Sequence, residues 1–213
     1  MATFRVIATS LGCEADRVLN ALAAVGHQVL NVEALMVRRR GSISFCAEQQ
    51  PSQAWFESQL LQRLRAVDPR SPVWIGDVED QVGELQLPGS MADALGAAPA
   101  ASLDAPIEER VNRWIEDEPA WASPSDALGA MESWKPPPEA RLIERWRELS
   151  LRELAGLVAS VLTDYLDRRQ SARLSRRKVT SSGIETLVVD SLKHDQLTLA
   201  VRAWQPTSEA TAT

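Results

Sequence analysis

Residues 4–42 constrain the fold more than any other stretch of the chain. The short apolar, β-rich run at 4–8 reads as a buried strand. Asp16 then stands just before a helical pattern in which Val18, Leu19, Leu22, Ala23 and Val25 share one side. Aspartate is a favourable helix N-cap, worth about 1 kcal/mol over alanine, and Gly26 is a natural helix stop. Val29, Leu30 and Val32 follow as a second strand. Strand, helix and strand within about 30 residues make a βαβ unit, which requires parallel pairing and a right-handed crossover.

The rest of the chain extends this α/β reading. Arg38, Arg39, Arg40, Gly41 and Ser42 form a polar, basic loop. Residues 51–67 carry Phe56, Leu60, Leu61 and Leu64 at helical spacing, and Asp68-Pro69 ends them. Residues 72–75 read as the next buried strand, followed by Gly76 and Asp77. A short segment at 82–87, a weak helix at 90–95 and a short strand at 100–103 come next. Pro106 opens a helix through Arg110, Val111, Trp114 and Ile115. Prolines 119, 124 and 136–138, with Trp121 and Trp134 between them, mark an irregular connection packed through its tryptophans. Residues 139–177 return to helix as a hairpin with a break near Ser150. Two β-rich runs, 186–192 and 196–204, flank Lys193-His194-Asp195 and predict a terminal β-hairpin. The expected divisions are an α/β domain at 1–118, the connection at 119–138, a helical extension at 139–178, the hairpin at 179–205 and a disordered tail at 206–213.

A chain of 213 residues, 45% of them hydrophobic, suffices for one α/β domain with an appendage. Its net charge of −6 argues against unaided, nonspecific binding of nucleic acid, although local basic clusters can still touch RNA. The two cysteines, Cys13 and Cys46, match no zinc spacing and no disulfide framework, and read as reduced thiols. Neither a signal-peptide pattern nor an apolar run near the ~20 residues of a membrane span is evident, so a soluble, cytoplasmic protein is expected. No metal, cofactor or catalytic residue is expected.

The turn between the first strand and helix has the place and length of a P-loop, G-x-x-x-x-G-K-[ST], whose backbone N–H groups, lysine and hydroxyl hold phosphate and magnesium. Laid on that pattern, Thr9 replaces the first glycine, Glu14 the second, Ala15 the lysine and Asp16 the hydroxyl. Gly12 is an interior glycine that remains. Two carboxylates face the position of a triphosphate, and like charges ~4 Å apart cost about 1 kcal/mol even in water. Asp16 can cap the helix with its own anion. The turn is therefore expected not to bind ATP or a diphosphate in the usual way. Taken alone it favours an ordinary α/β turn with no phosphate-binding ancestry.

Downstream residues change that reading. Residues 29–35 with Arg40-Gly41-Ser42, then Gln50-Pro51-Ser52-Gln53 with Phe56-Glu57, then 68–74 with Gly83 and Leu87-Pro88, resemble segments of the tRNA 2-selenouridine synthase family. Pro106 with Glu109-Arg110-Val111, and Asp164-Tyr165-Leu166-Asp167, are similar to its later motifs, so the resemblance spans about 4–170. It implies a P-loop NTPase-like parallel sheet flanked by helices. Members of that family join a rhodanese-like domain with a catalytic cysteine to a P-loop domain. Together these convert 2-thiouridine at the tRNA wobble position to 2-selenouridine through a geranylated intermediate, using geranyl diphosphate and selenophosphate. This chain resembles only the second part, and neither a rhodanese domain nor the matching cysteine is expected. Gly76, Val78 and Glu79 depart from the family's acidic stretch, and Asp77 remains. The retained polar residues Glu33, Arg40, Ser42, Gln50, Ser52, Gln53 and Glu57 either contact tRNA or a partner or hold the fold through hydrogen bonds.

Arg168, Arg169, Arg173, Arg176, Arg177 and Lys178 form a basic run at a helix end, as Arg38–Arg40 do in their loop. Such runs contact tRNA phosphates or, more often, serve solvation and the helix dipole. The expectation is a non-catalytic binding subunit in tRNA wobble-uridine modification, contacting tRNA or a separate rhodanese-type protein. The alternatives are the phosphate-binding half of a split synthase, a transferase using loops such as 38–42, and a protein-interaction module unrelated to RNA. Oligomeric state is not legible.

Overall fold

The computed structural model describes residues 3–10, 12–13, 15–37, 50–132, 134, 136–175 and 184–204. At its centre is β1 (Phe4–Thr9), whose Val6, Ile7 and Ala8 are fully buried because the strand is covered on both faces. β1 pairs in parallel with β3 (Val73–Gly76) on one side and β6 (Ala100–Asp104) on the other. β2 (Gln28–Leu30) adds to β3 and β7 (Glu185–Val188) adds to β6, both parallel, giving the order β2-β3-β1-β6-β7. A parallel five-stranded sheet of this order, flanked by helices, is a P-loop NTPase-like α/β fold.

Alternation along the strands divides the core. Val6, Leu30, Val73 and Ile75 face α2 (Val32–Met36), α3 (Gln53–Arg65) and α4 (Gly89–Ala97). Ile7, Trp74, Leu103 and Leu187 face α1 (Ala15–Ala24) and α10 (His194–Ala203). α1 stops as its sequence dictates: Gly26 takes φ +97°, its N–H reaches the Ala23 carbonyl at 3.0 Å, and the His27 N–H reaches Leu22 at 3.0 Å. A small hairpin of β4 (Gln81–Val82) and β5 (Leu85–Gln86) lies between β3 and α4.

Between β6 and β7 the chain builds a helical unit: α5 (Ile107–Asp117), a 3-10 turn (Pro119–Ala122), α6 (Pro124–Glu132), α7 (Ala140–Ser150), α8 (Leu154–Ser160), a π-helical stretch (Val161–Leu166) and α9 (Asp167–Leu174). Its core joins Trp114, Trp121, Met131, Trp146, Leu157 and Val161.

Four local expectations need correction. The second strand ends at Leu30, because the Asn31 side chain caps a new helix through the Ala34 N–H at 3.0 Å, placing Val32 in α2. The 119–138 connection is largely helical, since Pro119 and Pro124 stand at first helical positions, where a missing N–H costs nothing. Its tryptophans do pack: Trp121 meets Trp114 edge-on at 5.1 Å, and Trp134 stacks on Tyr165 at 5.4 Å. The terminal β-hairpin is absent from the described residues. β7 joins the main sheet, and 194–203 is helix α10, whose Leu197 and Val201 are buried against α1 with helical spacing. Finally, Asp16 lies one residue inside α1, where its Oδ1 accepts the Arg17 N–H at 3.0 Å, and is not its cap.

Candidate functional site

In an open parallel sheet, ligands bind beyond the carboxyl ends of the strands, where neighbouring strands send their connections in opposite directions. Here that place is β1 and β3, because β1 leads outward to β2 while β3 crosses over to β6. The candidate site is built from the turn after β1, the end of β3, and the helices lying against them.

The turn closes on itself. The Cys13 N–H donates to the Ser10 carbonyl at 3.0 Å, and Gly12 takes φ +85°, a left-handed conformation that favours glycine. Gly12 also lies against α5, where a Cβ would stand 2.7 Å from the Arg110 carbonyl oxygen. Burial pushes the Cys13 thiol up to about 12, with Arg110 acting against the shift and Asp104 and Asp167 adding to it. The thiol therefore stays protonated and is no nucleophile at neutral pH. Thr9, at the end of β1, is buried.

Two arginines meet this end of the sheet from the helical unit. Arg110, only 5% exposed, grips Asp167 of α9 with its two terminal guanidinium nitrogens, at 2.9 and 2.6 Å. Arg173, two turns further along α9, reaches Asp77 at the end of β3 at 2.6 Å. The Asp77 side chain is 0% exposed. Arg173 also donates to the Val78 carbonyl at 2.9 Å and lies 3.6 Å from Glu79. Nearby, Arg17 of α1 pairs with Asp117 of α5 at 2.7 Å. Gly76 lets α1 approach β3, where a Cβ would stand 3.1 Å from that of Ala15.

P-loop proteins hold magnesium through a loop hydroxyl and a strand-end aspartate. The residues here do not fit that ion. Asp16 stands where the pattern needs a hydroxyl, and the Asp77 carboxylate is engaged by Arg173. Among the described residues, no group of three His, Cys, Asp or Glu side chains could hold a metal.

The structure brings Thr9, Gly12, Ala15, Asp16, Asp77 and Arg173 to this end of the sheet. Gln50, Ser52 and Gln53 serve local structure near the small hairpin. Gln50 Nε2 donates to the Met36 and Val82 carbonyls at 3.1 and 3.0 Å, and its Oε1 accepts the Glu84 N–H at 3.0 Å. Ser52 caps α3 through the Trp55 N–H at 3.3 Å. Gln53 pairs with Gln86 through both N–H and C=O, at 3.0 and 2.8 Å, and donates to Glu57 at 2.7 Å. Arg169 lies over the Tyr165 ring at 5.4 Å and donates to its hydroxyl at 3.2 Å, while Arg168 is exposed. That hydroxyl in turn donates to the Pro136 carbonyl. Burial raises the Tyr165 pKa, and Arg169 opposes the rise. Glu14, Arg38, Arg39, Arg40, Ser42, Arg176, Arg177 and Lys178 lie outside the described residues. Sequence reasoning missed the site role of Arg110 and Asp167, although each sits in one of the segments carrying the family resemblance.

No helix among the described residues is long and apolar enough to cross a membrane. No curated protein matches the sequence. The crystal structure of TT1252 from Thermus thermophilus is similar over 95% of this chain and 97% of its own, at 14% identity and a TM-score of 0.42. A family model described as the tRNA 2-selenouridine synthase AAA domain matches residues 2–135, well over half of the 213. This protein therefore belongs to the family of the tRNA 2-selenouridine synthase AAA domain.

Proposed function

We propose that this chain is a non-catalytic member of its family, a binding subunit in tRNA wobble-uridine modification that contacts tRNA or a separate rhodanese-type protein. In this reading its phosphate loop is degenerate. The observation that carries it is the turn after β1. A phosphate loop aims its amides outward at the ligand and leaves its glycines bare. Here the Cys13 amide serves the turn itself, and Gly12 is covered by the backbone of α5. The lysine of the pattern is Ala15, so its fixed cation is missing as well.

Calorimetry of the full chain with ATP, geranyl diphosphate and selenophosphate tests the first half of the proposal. No heat of binding is expected at millimolar ligand. A micromolar dissociation constant for any of the three would favour the phosphate-binding half of a split synthase instead. Titration of tRNA tests the second half. Charge reversal at Arg38–Arg40 and at Arg176–Lys178 should weaken binding at least tenfold and flatten its salt dependence, since each lost phosphate contact removes about one unit of slope. If wild-type protein binds no tRNA, or the reversed protein binds as well as wild type, the RNA contact is wrong. Capture of a rhodanese-type protein would then be the remaining role.

A further inference from the structure

We propose that the Arg173 guanidinium replaces the divalent cation of a nucleotide site and latches the helical unit over the ligand end of the sheet, so that the closed form needs no ligand. The proposal rests on the non-catalytic reading above.

The first support is the chemistry of the oxygens. At the end of β3, Arg173 meets the Asp77 carboxylate at 2.6 Å, the Val78 carbonyl at 2.9 Å and the Glu79 carboxylate at 3.6 Å. Two carboxylates and a carbonyl are hard oxygen donors of the kind that suits a magnesium or manganese ion. A planar guanidinium has several donors in a fixed fork and can serve more than one of these oxygens at once, which an ammonium cannot do as well.

The second support is the path of α9. One end of this helix is tied through Asp167 to Arg110, whose backbone covers Gly12 after β1. The other end carries Arg173 to the end of β3. Residues 167 and 173 lie about 9 Å apart along a helix axis, so one helix bridges the ends of the two strands that flank a ligand crevice. A cation delivered from such a tether does not diffuse away, whereas a bound ion exchanges with solvent.

Hydrogen exchange of the full chain, free of ligand, tests the latch. Arg173→Ala should speed exchange in α9 and in residues 77–82 by about tenfold or more, while α1, β6 and α10 keep wild-type rates. Arg173→Lys should fall between, because a point charge cannot span the same oxygens. Manganese binding, read by electron paramagnetic resonance, tests the substitution of ion by side chain. Wild type should bind none. Arg173→Ala should bind manganese with a dissociation constant of about 1 mM or tighter, and adding Asp77→Asn should abolish it. Uniform acceleration across the sheet, or none, would overturn the latch. Failure of Arg173→Ala to take up manganese would overturn the cation replacement. If Arg173→Ala does not fold, Arg173→Met, which keeps the stem, carries the same two measurements. Neither experiment contains nucleotide or tRNA, so each can fail while the calorimetry above succeeds, and the reverse.

Discussion

Gly12 combines two demands that no other residue type meets at once. Its φ of +85° disfavours any side chain, and its Cα faces a backbone carbonyl that cannot rotate aside. Gly12→Ala is expected to destabilise the protein by about 2–4 kcal/mol, read from the urea midpoint. Gly26 provides the control. Its φ of +97° is similar, but nothing lies within 4 Å of the place a methyl group would take, so Gly26→Ala should cost only the conformational part, about 1 kcal/mol. Equal costs at the two positions would mean that the Arg110 backbone yields and that the turn is not seated on α5. The presence of Gly12 was legible in the sequence, but its use was not. A glycine in such a turn fits both an approaching phosphate and an approaching helix, and only the position of α5 separates them.

Among the elements, those with strong local signals were legible. β1 carries an apolar run, Val6-Ile7-Ala8, that is fully buried, and α1 has one apolar face and a glycine stop. The break near Ser150 is also present, between α7 and α8. The final elements were misread because Leu197, Leu199 and Val201 alternate as in a strand. Leu197 and Val201 also lie one helical turn apart, and these two are buried, while Leu199 is 56% exposed. The arrangement decides in favour of the helix, since β7 completes a parallel sheet and α10 covers that sheet beside α1. The 119–138 stretch was misread for the opposite reason. Its prolines looked like breakers, but two of them open helical segments. The Arg110–Asp167 pair joins residues 57 apart, and no local pattern reports a contact at that separation.

At the scale of the molecule, a sheet with cores on both faces meets a helical unit with its own core. Polar clamps join them: Arg173 to Asp77, Arg17 to Asp117, and Glu109 to Ser191 and the Leu192 N–H at 3.2 and 3.1 Å. Within the helical unit, Arg110–Asp167 sets α5, which carries two of these clamps, against α9, which carries the third. Asp167→Asn should therefore cost about 2–3 kcal/mol, less than the 3–5 of a fully buried pair, because Asp167 keeps 27% of its side chain exposed. In Asp167→Asn, hydrogen exchange in α5–α9 should consequently speed up at lower urea than exchange in β1, β3 and α1 does. Acceleration of all these elements at one urea concentration would count against a separable unit. The position of β7 has a consequence for how the chain is made. Residues 185–188 supply one of the two edge strands, yet they follow the whole helical unit in sequence. During synthesis the free edge of β6 must wait, with its hydrogen-bonding groups open to water or to a neighbouring chain, until the helical unit and residues 185–188 behind it have left the ribosome.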